Sequence, residues 1–276
     1  MTTPVRDQYG RPPAADPAPL PASAFDAHCH LDLVLGPVDD VLARAAAAGI
    51  TRVVTVGTDL PSCYTAVTTA ADHDEVYAAV AIHPNETAKS GNPAEVLEEL
   101  AELAALPQVR AVGETGLDYY WDDAPHDMQQ DWFRAHIALA KQTGKPLMIH
   151  DRDAHEDILR ILAEEGPPET VIFHCFSGDA ELAKRCAAAG YLLSFAGVLT
   201  FSNAAQLREA AAITPPGQLL AETDAPFLTP VPNRGKSNSP AQVANTIRAL
   251  AAIKELDVAE LCAILQATGQ RVFGPW

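Results

Sequence analysis

Short apolar runs alternate along the chain with stretches whose apolar residues recur at helical spacing. The runs are SAFDAHCH, TRVVTVGT, VYAAVAIH, VRAVGETG, KPLMIH, TVIFHC, YLLSFAG and QLLAETD. Most are rich in Val, Ile, Leu or Phe and carry few surface charges, as strands buried on both faces do. Between them lie VDDVLARAAAAG, LPSCYTAVTTAADH, PAEVLEELAELAAL, PHDMQQDWFRAHIALAKQTG, AHEDILRILAEEG, DAELAKRCAAAG and NAAQLREAAAI, several ended by Gly, a helix stop signal. Two more helical stretches, SPAQVANTIRALAAIKEL and VAELCAILQATGQRVF, follow the last run. Eight strands alternating with helices in 276 residues predict an α/β fold, a (β/α)8 TIM barrel occupying residues 25–276 as a single domain. A doubly wound open sheet is the alternative, weakened because no G-x-G-x-x-G follows the first run. Residues 1–24 are rich in Pro and Ala and read as a flexible extension.

The polar residues collect where these runs end. His28 and His30 close the first, His83 the third, Glu114 the fourth, His150 the fifth, His174 the sixth and Asp224 the eighth. Catalytic groups of a parallel barrel gather at the C-terminal ends of its strands. Within FDAHCHLDL, residues two apart share a strand face, so Asp26, His28 and His30 project together while Cys29 points away. Six side chains exceed the roughly four ligands one ion needs. They point to two divalent ions about 3.5–4 Å apart. His28, His30, Glu114 and Asp224 are assigned to the first ion, and Glu114, His150 and His174 to the second, with Glu114 as the bridge. Mixed nitrogen and oxygen donors suit Zn, Mn, Mg or Co, with four imidazoles making a Mg-only site the least natural. Such a pair acidifies water and polarises a phosphoryl or carbonyl oxygen, with Asp224 placed to accept the proton.

Other polar residues take supporting roles. Asp26 is expected to orient a ligand imidazole and Glu222 to hydrogen-bond within the barrel layer. His83, Arg152, Ser177, Arg234 and Lys236 are candidate substrate contacts, Ser177 with the N-terminus of the helix that follows it. Tyr119, Tyr120 and Trp121 either stack on a base or pack their loop. His73, His126, His136 and His155 fall on helical stretches and read as ordinary hydrogen-bonded histidines, and Cys29 and Cys175 as packing residues.

Charge narrows the picture. A net charge of −17 argues against a broad basic surface for nucleic acid but leaves room for an enzyme that meets phosphate through ions and a few local cations. No apolar run approaches the roughly 20 residues of a membrane span, and the start lacks the apolar core of a secretory signal. Five cysteines without paired spacing suit a reduced, cytoplasmic protein.

The stretches DAHCHLD, HPNE, GETGLDYY, QQDWFRAHIALA, KPLMIHDRDA, FHCFSG, FAGVLTF and ETDAPFLTPVPNRGKSNSP, with the C-terminal helix, resemble the TatD family of metal-dependent deoxyribonucleases, within the wider amidohydrolase-like barrels. The resemblance runs from about Phe25 to the end. It implies a two-metal barrel, a cytoplasmic location, and hydrolysis of DNA phosphodiesters; a monomer is expected, with an oligomer as the alternative. A 3′-to-5′ exonuclease on single strands, with a part in DNA repair, is the expected form. The family's ligands fall on the six residues already chosen. Three departures stand out: the Pro-rich start, Asp151 where the family has a small hydroxyl residue, and no asparagine in ATGQRVFG. Two rivals are a same-barrel hydrolase of a small phosphoester, lactone or amide, and a catalytically weak metal- or nucleic-acid-binding protein.

Overall fold

The computed structural model describes residues 6–275. The apolar runs form β1 (Ala24–Cys29), β2 (Ile50–Val56), β3 (Val76–Val80), β4 (Val109–Asp118), β5 (Leu147–Arg152), β6 (Val171–Phe173), β7 (Leu192–Phe195) and β8 (Leu219–Ala221). Each pairs in parallel with the next, in the order β1 to β8. Parallel neighbours require crossovers. These are α1 (Val38–Ala47), α2 (Leu60–Asp72), α3 (Pro93–Ala104), α4 (His126–Thr143), α5 (His155–Glu165), α6 (Ala180–Ala188) and α7 (Ala205–Ile213). After β8 come α8 (Val243–Lys254) and α9 (Val258–Phe273). The expected TIM barrel is the fold.

Local chemistry sets the boundaries. Asp59 caps α2 by accepting from the Ser62 N–H at 2.9 Å, while the Ser62 hydroxyl accepts from the Asp59 N–H at 3.0 Å. Gly144 ends α4 in the left-handed conformation, φ 65°. β3, β6 and β8 are buried along their whole length, which is why those runs are continuously apolar rather than alternating.

Two features of the barrel position the site. The first is an irregularity in β4: Val112 pairs with Leu147 and Thr115 with Ile149, so β4 carries one residue more than β5 around Gly113 and Glu114. A bulge of this kind re-aims a side chain. Glu114 therefore sits inside a ten-residue strand, not at its end as the sequence suggested. Two residues on, Gly116 has φ 138°, and a Cβ there would lie 2.1 Å from the His150 carbonyl oxygen. Only glycine lets β4 and β5 approach this closely.

The second feature is the seam. β8 stops early, and the chain beyond it closes the barrel on β1. The Asp224 N–H donates to the His28 carbonyl at 2.9 Å and the His30 N–H to that of Ala225 at 2.8 Å. Beside them the buried Asp26 carboxylate accepts from the Thr223 N–H at 2.8 Å and from the Thr223 hydroxyl.

The Pro/Ala-rich segment, read from composition as flexible, has defined partners from Arg6 onward. Ala14 N–H and the Ser237 carbonyl meet at 3.1 Å, and Ser237 N–H and the Pro12 carbonyl at 2.8 Å. Asn233 and Gln242 amides donate to the Ala15 carbonyl, Arg44 pairs with Asp16, and Arg248 reaches the carbonyls of Ala18 and Pro19. Composition missed this because the strap is held through its backbone carbonyls, which any sequence carries.

Candidate metal centre

β1 brings two imidazoles together. His28 lies within the strand and His30 just past it, with their Nε2 atoms 3.3 Å apart. Glu114 Oε1 lies 3.9 and 3.6 Å from these two nitrogens, and Asp224 Oδ1 lies 3.8 and 3.6 Å from them. Across the barrel, His150 Nδ1 and His174 Nε2 are 3.3 Å apart. Glu114 Oε2 lies 3.4 Å from the first of these and 2.6 Å from the second. One carboxylate thus serves both pairs, an oxygen to each. All six residues chosen from the sequence meet here.

The proton positions follow from the outer nitrogens. His30 Nδ1 donates to the Val56 carbonyl at 2.9 Å, His150 Nε2 to Asp118 Oδ2 at 3.0 Å and His174 Nδ1 to Glu222 Oε1 at 3.3 Å. His28 Nδ1 faces the Met148 sulfur at 3.1 Å. A neutral imidazole that donates through one nitrogen offers a lone pair at the other. The inner nitrogens therefore present lone pairs to one another and to carboxylate oxygens. Glu114 Oε2 is buried without a hydrogen-bond partner among the described residues. Such a set is repulsive until a cation joins it. Nitrogens each about 2.0–2.1 Å from a tetrahedral ion stand roughly 3.3 Å apart, the separation seen in both pairs. The residues fit divalent metal.

Without a cation, protons drawn onto the imidazoles by the carboxylates offset that repulsion. Burial opposes charge on Glu114, yet His174, His83 and His28 around it hold its carboxyl well below the usual range. Burial likewise disfavours a charged His174, but Glu114 and Glu222 on its two sides raise its pKa well above normal. Burial resists charge on Asp118 too, and His150 with the Tyr120 and Trp121 amides brings it down to about 2.

Asp118 is the residue that the sequence reading missed. It stands four residues after Glu114 in GETGLDYY, and the signal was there: a strand continued to its end puts Asp118 beside His150. Asp26 requires the opposite correction. It touches no imidazole side chain; it bonds Thr223 and the His28 N–H, because it lies a layer deeper, level with the seam. Glu222 does hold an imidazole, and it also accepts from the Cys175 N–H at 2.8 Å. Asp151, flagged as an extra carboxylate near the second pair, turns away to His155 Nδ1 at 2.7 Å. The donor groups close enough to share an ion, among the described residues, include His83 but no cysteine.

The other sequence candidates ring the mouth. His83 Nδ1 accepts from the Asn85 N–H at 3.1 Å, which leaves Nε2 carrying a proton; its ring meets that of His150 at 4.4 Å. Burial drives the His83 pKa down to about 3. The Arg152 guanidinium lies 4.1 Å from the Tyr120 ring centre and 5.9 Å from that of Trp121, both rings exposed. Tyr119 instead packs its loop, on His126 and Asp157. Arg234 stacks on Phe201 at 4.2 Å, and Lys236 Nζ donates to Asn233 Oδ1 at 3.1 Å. Ser177 is exposed and donates to the Asp151 carbonyl at 3.3 Å. The N-terminus of α6 is not open to an anion, since Asp179 caps it through the Leu182 N–H at 2.9 Å. His136, on α4, is the ordinary histidine expected: buried, accepting from the Ile82 N–H and bonded to Thr115 and Trp132.

Comparison with known proteins gives the same answer as the geometry. The family model described as TatD related DNase matches residues 25–274. A Mycobacterium tuberculosis protein named uncharacterized metal-dependent hydrolase TatD is 48% identical over 260 residues, covering 90% of this chain and 97% of its own. The Bacillus subtilis metal-dependent hydrolase YabD, also named as uncharacterized, is 42% identical, covering 90% and 98%. The crystal structure of the Escherichia coli TatD homolog YjjV superposes with a TM-score of 0.84 at 29% identity, covering 91% of this chain and 97% of that one. No helix among the described residues is long and apolar enough to cross a membrane. Lone-pair donors around a shared carboxylate, in a barrel matched over nearly its whole length, place this chain in the TatD family of metal-dependent hydrolases.

Proposed function

We propose that the protein is a deoxyribonuclease that hydrolyses DNA phosphodiesters with two divalent ions, acting on single strands from the 3′ end. The observation that carries this reading is the division of Glu114, one oxygen to each imidazole pair. His28, His30, Glu114 and Asp224 would hold one ion, and Glu114, His150 and His174 the other. Bound there, the ions supply Lewis acidity toward a phosphoryl oxygen and lower the pKa of water.

The chain's own residues do the rest. Asp224 is the most open carboxylate of the set, its side chain 14% exposed against 5% for Glu114. It faces the mouth and takes the proton from attacking water. Asp224 adopts φ 52°, a strained setting for a non-glycine residue that the Asp224–His28 backbone bond enforces. The His83 Nε2–H donates to a phosphate oxygen. Arg152 on Tyr120 and Trp121, and Arg234 on Phe201, combine a cation with an aromatic face, the pairing that single strands favour. Among the described residues no lysine ends a strand to serve as a carboxylated bridge; Lys145 lies just before β5, on the Val109 carbonyl.

The test is cleavage of 5′-labelled single-stranded DNA by metal-stripped protein, with Mg²⁺, Mn²⁺ or Zn²⁺ restored and Asp224→Asn beside it. Metal-dependent shortening from the 3′ end, lost in the variant, is the expected result. Turnover of small phosphoesters, lactones or amides without DNA cleavage would replace this reading with the small-substrate one.

A further inference from the structure

The strap adds to the mouth something that the matched family region, residues 25–274, does not contain. Its first turn is tightly built. The buried Asp7 carboxylate accepts from the Tyr9 N–H at 3.0 Å, the Arg11 N–H at 2.8 Å and Arg11 Nε at 2.8 Å. This fixes two side chains over the loop after β8. The Tyr9 ring lies 5.5 Å from that of Phe227, and the Arg11 guanidinium lies 4.8 Å from the Tyr9 centre and 5.9 Å from that of Phe227. Phe227 in turn meets the His30 ring at 6.2 Å. Tyr9 is thus one ring removed from an imidazole of the first pair, yet it is 53% exposed.

A half-exposed tyrosine adds little to the core. What the turn secures is a rigid aromatic face, held flat by a cation, at the edge of a metal site. The loss of freedom on binding is small because Asp7 has already ordered the turn. We infer that Tyr9 is a base-stacking residue of the substrate site: a nucleobase lies on its open face while an adjacent phosphodiester reaches His28, His30 and Asp224. Arg11 is a positioning residue that holds the Tyr9 and Phe227 rings. The inference rests on the nuclease reading.

The experiment is steady-state cleavage of a single-stranded oligonucleotide by the metal-loaded full chain, comparing wild type, Tyr9→Ala and Tyr9→Phe. A stack lost in Tyr9→Ala raises KM at least about fivefold, the weak end for base–aromatic stacking, with kcat within about twofold. Tyr9→Phe keeps the wild-type KM, since the ring and not the hydroxyl is used. A second substrate separates stacking from structure: on an oligomer of abasic sites, Tyr9→Ala and wild type give the same KM. Cleavage by wild type with an unchanged KM in Tyr9→Ala overturns the strap's role and leaves the nuclease reading standing. A KM change that persists on the abasic oligomer also overturns it, by showing a distorted loop. Failure of the wild type to cut any DNA overturns both.

Discussion

The two imidazole pairs look alike from inside the barrel and differ behind it. The β1 pair is backed by neutral groups, the Val56 carbonyl and the Met148 sulfur. The β5–β6 pair is backed by carboxylates, Asp118 and Glu222. In front, the order reverses: the β1 pair has both Glu114 and Asp224 within 3.9 Å, whereas the second pair has Glu114 at 3.4 and 2.6 Å and Asp224 farther off, within 4.8 Å of His174. Negative charge is delivered to both, but at different depths. A carboxylate behind an imidazole orients it and strengthens it as a ligand, away from substrate. A carboxylate in front can also exchange protons with substrate and water. On the proposed mechanism the β1 side is the reactive half, and the β5–β6 side the anchoring half.

The sharpest way to break this contrast is Asp224→Asn. It should lower kcat by roughly 10²–10⁴, while metal analysis shows the His150–His174 pair still loaded. Loss of metal from both pairs instead would mean that the halves are not distinct.

A buried histidine outside both pairs supplies the control. Burial lowers the His136 pKa to about 4. An unfolded imidazole titrates near 6.5, so as pH falls the unfolded chain binds the proton first. Its share of stability is complete above pH 6.5, declines between about 6.5 and 4, and levels off below. The loss amounts to about 3 kcal/mol. Denaturant unfolding of chelator-treated wild type and His136→Gln across that range should show the variant with the shallower slope.

Next in size come Asp118→Asn and Glu222→Gln. Each should weaken metal binding at the second pair by about 10–100-fold and spare the first, as read by competition with a chelating dye. Smallest is Met148→Leu. A thioether is a weak acceptor, so affinity at the first pair should stay within about threefold. A larger fall would place the β1 side, too, under control from behind.

The barrel and the six inward residues were legible because both are written in local patterns: apolar runs at regular spacing, and ionisable residues where the runs close. What stayed hidden depends on pairing across the sheet. Periodicity told which face Asp26 takes but not that Thr223 lies opposite. It put Glu114 at a strand end, in a run closed at Gly116, whereas glycine there lets β4 run on against His150. Asp118, two residues past that run, was lost with the end of the strand. The partners of the strap were hidden for the same reason, lying 30 to more than 200 residues away.

The seam has a consequence for how the molecule breathes. The amides of His30 and Asp224 close the barrel and sit beside their own side chains at the reactive centre. Opening those two bonds to solvent exchange also pulls apart the donors of the first pair. With an ion held as proposed, local unfolding at this edge and its release would be one cooperative event, and a ligand that grips the site should also protect those two amide hydrogens.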